Sequence, residues 1–206
     1  GLKHKDKPVG CYLFTGPTGV GKTEATKALS DLLALKLVRF DMSEYQERHT
    51  IAKLIGAPPG YTGYGDGKAG SGLLVNELEQ NPSCILLLDE VEKAHPDVLN
   101  VLLALMDNGM VSGSNGKSVS ARNAIVILTS NLGAADSERA VIGFGETENN
   151  GAQDDAVKNF FAPEFRNRLD AIVKFGKLDR SNIDNITVKF LNELKAMVEE
   201  RGFEFS

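Results

Sequence analysis

The sequence has no apolar run near the ~18 residues that a membrane-crossing helix requires, and its opening does not read as a secretory leader. It also lacks a basic excess: 23 Lys and Arg stand against 28 Asp and Glu, a formal net charge of −5. Nucleic-acid surfaces are normally basic, so that class of partner is disfavoured. Cysteine is scarce. Cys11 and Cys84 both lie inside strand-like apolar runs, without the spacing of a metal or redox pair. They read as small buried hydrophobes in a reducing compartment. Internal repeats and low-complexity runs are missing too. What these absences leave is a soluble, cytoplasmic domain with neither membrane nor nucleic-acid partners. With 206 residues, 42% of them apolar, the chain can bury the core of one domain, or of one domain and a fragment.

What is present is concentrated first in Gly16, Pro17, Thr18, Gly19, Val20, Gly21, Lys22 and Thr23. This G-x-x-x-x-G-K-[ST] stretch follows the apolar run Cys11 to Phe14 and opens a predicted helix, Glu24 to Leu35. Glycines at 16, 19 and 21 let the backbone fold into a nest whose N–H groups converge on one anion. The positive end of the helix adds to that field. Lys22 supplies a mobile charge for β- and γ-phosphates, and the Thr23 hydroxyl is placed to hold Mg²⁺. The reading is a nucleoside triphosphate site with Mg²⁺, flanked by Glu24.

Along the chain, the opening GLKHKDKPVG reads as a cut just before the first strand. The segment 36–42 reads as a second strand, and 43–56 as a capped helix with Ile51, Leu54 and Ile55 on one face and Gly56 at its end. Residues 57–72 form a long Gly- and Pro-rich stretch carrying Tyr61 and Tyr64, either a functional loop or a bland surface one. A short amphipathic helix over 73–82 leads to Cys84–Leu88, apolar on both faces as a central parallel strand should be. Asp89 and Glu90 follow at its carboxyl edge. There they could hold the Mg²⁺ shell and polarise water, or merely cap a strand end. Pro96 starts a helix that Gly109 ends, and 110–122 reads as a hairpin turning at Asn115-Gly116. The next buried strand ends in Thr129, Ser130 and Asn131, whose amide could hold an attacking water or form a turn. A second polar stretch carries Ile142-Gly143-Phe144, a docking plug or a tuck onto the domain. A helix around 156–161, PEFRNRLD, the strand AIVKF and a helix over 182–200 complete the chain. Strands alternating with helices give an α/β, three-layer α/β/α class with a parallel sheet.

The segments GPTGVGKTE, RFDMSEY, LIGAPPGYTGY, LLLDEVEKAHPDV, MDNG, LTSN and PEFRNRLD occur in an order that resembles the AAA+ ATPase module. They are most similar to the second ATPase ring domain of the Clp unfoldases, of ClpA-like type. The resemblance implies a P-loop NTPase fold with a five-stranded parallel sheet of order 5-1-4-3-2. It divides the chain into a large nucleotide-binding subdomain, 1–178, and the start of a small helical subdomain, 179–206. It makes Gly16 to Thr23 the Walker A motif, Asp89 and Glu90 Walker B, and Asn131 the sensor that positions water. Arg168 becomes the arginine finger acting on the next subunit of a homo-hexamer, with Arg166 as runner-up. Gly60, Tyr61, Thr62 and Gly63 become the pore loop that grips unfolded or tagged substrates, and the 111–121 hairpin a second pore loop. Ile142, Gly143 and Phe144 match the tripeptide with which such unfoldases dock on a ClpP-type peptidase. The implied cofactors are ATP/ADP and Mg²⁺, and the implied activity is ATP-driven protein unfolding for proteolysis; the alternative is a ClpB-like disaggregase.

Overall fold

A computed structural model describes residues 6–56, 72–114, 116–133 and 150–176. The expected helix over 182–200, and with it the proposed small-subdomain segment 179–206, lies outside the described residues. So do the expected pore loop at 60–63 and the tripeptide at 142–144.

The strands form where the apolar runs predict them. β1 (Gly10–Thr15), β2 (Lys36–Asp41), β3 (Cys84–Asp89), β6 (Ile125–Ser130) and β7 (Ala171–Lys174) make one five-stranded sheet in the order β2-β3-β6-β1-β7. Every pairing in it is parallel. Numbered among themselves in chain order, these five strands run 5-1-4-3-2 from the β7 edge, the order expected. β4 (Met110–Ser112) and β5 (Ser118–Ser120) form a separate antiparallel hairpin.

Alternation along each central strand sorts side chains to two faces. Cys11, Leu13, Leu86, Leu88, Val126 and Leu128 point to one core, shared with α3 (Leu73–Gln80), α4 (Pro96–Asn108), Phe161 and Phe165. Tyr12, Phe14, Ile85, Leu87, Ile125 and Ile127 point to the other, covered by Leu29 of α1 (Lys22–Leu32). Each leucine so enclosed contributes about 1.5–3 kcal/mol. Two faces covered by helices complete the three layers. Both cysteines are buried, and burial pushes the Cys84 thiol up to about 11, so it stays protonated and inert at neutral pH.

Three local differences have clear causes. α1 starts at Lys22 rather than Glu24, because Gly21 already turns the chain as its N-cap; it ends at Leu32, and Ala34 at φ 50 redirects the chain into β2. The helix expected over 43–56 is mostly 3-10 turns, at Met42–Tyr45 and Arg48–Thr50, with α2 confined to Ile51–Ile55. Asp41 accepts from both the Ser43 N–H (2.9 Å) and its hydroxyl (2.6 Å), which tightens that first turn. The hairpin closes through a 113–117 connection, with Gly113 N–H donating to Lys117 O at 2.7 Å. It is tied to α2 by Ser114 N–H to Ile55 O at 2.7 Å and to α3 by Lys117 and Glu79, 2.6 Å apart. α5 (Asn150–Phe160) and α6 (Pro163–Arg166) precede β7.

At the junction of α2 and α3, Gly72 has φ +85, and a Cβ on it would stand 2.4 Å from Gly56 N. Only glycine allows the two backbones this approach.

Candidate nucleotide site

Because the sheet is parallel, the loop after β1, the acids ending β3 and the residues after β6 all lie off one carboxyl edge. β1 is flanked by β6 and β7, so this is also where the strand order reverses, the usual place for a ligand crevice in such sheets. Gly16 leaves β1 with its N–H donated to Ser130 O at 3.2 Å. A Cβ at Gly16 would lie 2.2 Å from Phe175 O, so a larger residue would push the loop off its seat.

Lys22 is 7% exposed. Its ammonium donates to Gly16 O (2.5 Å), Pro17 O (2.8 Å) and Asn131 Oδ1 (2.8 Å). Burial lowers its pKa, opposed by the charges of Glu92, Asp89 and Glu90. Thr23 Oγ1 donates to Asp89 Oδ2 at 3.2 Å. These two hard oxygens are the donor type a Mg²⁺ ion takes, and a dication there would offset the repulsion between a polyphosphate and three carboxylates. The residues present therefore fit the metal. Glu24 is exposed and paired with Lys27 at 2.5 Å.

Asn131 connects the two halves of the site. While its Oδ1 accepts from Lys22, its Nδ2 donates to Glu90 Oε1 at 3.0 Å. An amide oxygen toward the ammonium and an amide nitrogen toward the carboxylate is the orientation its two ends require. The other Glu90 oxygen pairs with Lys93 at 2.5 Å, and this contact raises the Lys93 pKa by hydrogen bond and charge.

The structure thus brings together Lys22, Thr23, Asp89, Glu90 and Asn131. It does not bring Arg168 to them. Asp170 N–H donates to Cys11 O at 2.7 Å, which places the chain entering β7 at the amino-terminal edge of the sheet. Arg168 sits just before that point, donating through Nε to Asp107 (2.7 Å) and through Nη1 to Glu164 O (2.7 Å). Arg166 Nε is turned onto Phe161 O at 3.1 Å.

Four further residues, given no role by the sequence, enter the site. Arg39 on β2 reaches Asp89 Oδ2 at 2.7 Å. Lys93 pairs with Glu90, and Thr129 bonds both acids. Glu92 Oε1 accepts the Asn131 N–H at 2.9 Å, while its Oε2 is buried with no partner among the described residues. The carboxylate-rich DEVE run was visible; that Glu92 turns inward follows from the 3-10 turn Val91–Lys93.

Comparison with known proteins bears on the fold and the family. The model of the family described as AAA domain (Cdc48 subfamily) matches residues 7–172. The chain is 52% identical to a ClpA homolog protein of Fuscovulum blasticum, over 98% of this chain and 25% of that protein. It is 42% identical to the ATP-dependent Clp protease ATP-binding subunit ClpE of Bacillus subtilis, over 100% of this chain and 30% of that one. With the chaperone protein ClpB of Pseudomonas putida the identity is 46%, over 100% and 24%. A closed-state cryo-EM reconstruction of Hsp104 with ATPγS and FITC casein superposes with a TM-score of 0.73 at 39% identity, over 95% of this chain and 34% of that one. The chain therefore spans about a quarter to a third of the relatives it matches. Among the described residues no helix is long and apolar enough to cross a membrane. With a P-loop, a paired Asp-Glu and a parallel sheet of this order, the chain belongs to the AAA domain family, among the Clp ATPases.

Proposed function

We propose that the chain is the ATP-hydrolysing module of a Clp-type protein unfoldase that works as a homo-hexamer. The observation that carries the hydrolytic reading is the continuous set of contacts from Lys22 through Asn131 to Glu90, beside Thr23 and Asp89; the Clp relatives support the unfoldase and the ring. Lys22 and the loop N–H groups bind β- and γ-phosphates. Mg²⁺ held by Thr23 and Asp89 would neutralise charge on the phosphate oxygens. Glu90 accepts the proton of the attacking water, and Asn131 holds Glu90 and the water in register.

Arg168 acts on a neighbouring subunit. Its place at the edge of the sheet opposite the P-loop supports a role outward from its own site. In the intact protein, Arg168→Ala is expected to leave hexamers and nucleotide affinity unchanged while kcat falls on the order of 10³-fold. Unchanged turnover would transfer the role to Arg166. Size-exclusion chromatography and a steady-state ATPase assay check both halves.

Tyr61 grips substrate in the pore, and Ile142-Gly143-Phe144 couples the ring to a ClpP-type peptidase. The relatives' names divide between protease subunits and chaperones, so the coupling is tested directly. Full-length protein, ATP and a ClpP-type peptidase are given a folded, tagged fluorescent substrate. Deleting 142–144 is expected to abolish degradation with ATPase activity retained. Unfolding without degradation in the undeleted protein would favour the disaggregase reading, which the identity to ClpB supports.

A further inference from the structure

β3 and β6 pair as a parallel ladder from Ile85↔Ile125 to Leu88↔Leu128. Past that point the chain leaving β3 turns sharply, and Glu90 adopts φ 55, ψ 49. This left-handed conformation is uncommon for a residue with a Cβ and persists where surrounding contacts hold it. The Glu90 N–H donates to Thr129 Oγ1 at 3.0 Å. An N–H can only donate, so the threonine oxygen accepts there and its single proton remains available. That proton goes to Asp89 Oδ1. One side chain, 1% exposed, thus ties the backbone of one acid to the carboxylate of the other. With Oδ1 engaged this way, Oδ2 is the oxygen presented to Thr23 and Arg39. With the turn held, Glu90 Oε1 arrives where Asn131 meets it.

We propose that Thr129 is a positioning residue for ATP hydrolysis, its hydroxyl fixing both the left-handed turn at Glu90 and the orientation of the Asp89 carboxylate. The inference rests on the hydrolytic reading above. It requires the hydroxyl specifically: the methyl packs, but only Oγ1 can accept from Glu90 and donate to Asp89. Thr129 Oγ1 spends its accepting position on Glu90 and its proton on Asp89, so its effect runs through the placement of those two acids and falls on turnover first.

The test uses the intact protein with Thr129→Val, Thr129→Ser and Thr129→Ala, alongside Glu90→Gln. Steady-state ATPase activity gives kcat and KM, and titration with mant-ADP gives affinity. Thr129→Val and Thr129→Ala are expected to lower kcat on the order of 100-fold, the scale of a misplaced reacting group. mant-ADP affinity stays unchanged in both, and Thr129→Ser keeps near-normal turnover. Thr129→Val turning over like the wild type would overturn the proposal. So would Thr129→Ser as slow as Thr129→Ala, since that pattern reports methyl packing. If Thr129→Val does not fold, the Ser and Ala pair decides alone, because those two differ only in the hydroxyl. Normal turnover by Glu90→Gln would instead remove the hydrolytic role of Glu90, a failure separable from that of Thr129.

Discussion

Lys22→Ala is expected to abolish nucleotide binding by the intact protein. The ammonium is the one cation that the loop itself supplies, and it is held by Gly16 O, Pro17 O and Asn131 Oδ1. In the proposed nucleotide complex, removing it strips the charge-assisted contacts to two phosphates, each worth about 1.5–3 kcal/mol. It also leaves Asp89, Glu90 and Glu92 facing an incoming polyanion without the charge they surround. Together these effects predict an affinity loss of roughly 100-fold or more, well beyond that of an ordinary surface substitution. Lys22→Arg should restore little of it. A planar guanidinium cannot direct three donors to three acceptors around a point as an ammonium does. Titration with mant-ATP in the presence of Mg²⁺ measures the effect, and near-wild-type affinity in Lys22→Ala would remove the loop from the site.

Glu90→Gln should separate the two halves of the reaction. The amide is close in shape to the carboxylate, and its oxygen can still accept from Asn131 Nδ2 where Oε1 does now. What it cannot do is take a proton from water. Turnover is therefore expected to fall about 10²- to 10⁴-fold, the usual share of a general base, with ATP affinity kept. The lost pairing with Lys93 is partly exposed and contributes little to stability. Filter-bound ATP retained by the variant, with no phosphate released, is the expected signature. Phosphate release at the wild-type rate would assign the base elsewhere.

The sheet and most of the site were legible because their signals are local. Four-to-six-residue apolar runs marked the central strands, and the glycine spacing marked the loop. Acids placed directly after a buried strand have to emerge at its carboxyl edge. What was not legible depends on partners distant in sequence. Arg39 reaches Asp89 because β2 and β3 pair with Asp41 opposite Asp89, a register that no short window contains. Thr129 could be read as a strand end, but its double hydrogen bond exists only because Glu90 turns left-handed across from it. The short 3-10 turn directly after β2 was missed for a related reason: the Asp41 side chain tightens the chain at Ser43, well ahead of Ile51 and Leu54, whose helical periodicity α2 does follow.

The near-contact of Gly56 and Gly72 has a mechanical consequence. Gly56 and Gly72 stand side by side, so a displacement at either one reaches the same point of the domain, the α2–α3 junction. That junction is bonded to the hairpin through Ser114 and Lys117, and α3 leads along the chain into β3 and its two acids. A shift of the junction and the geometry around Asp89 and Glu90 are therefore separated by one short helix and one strand.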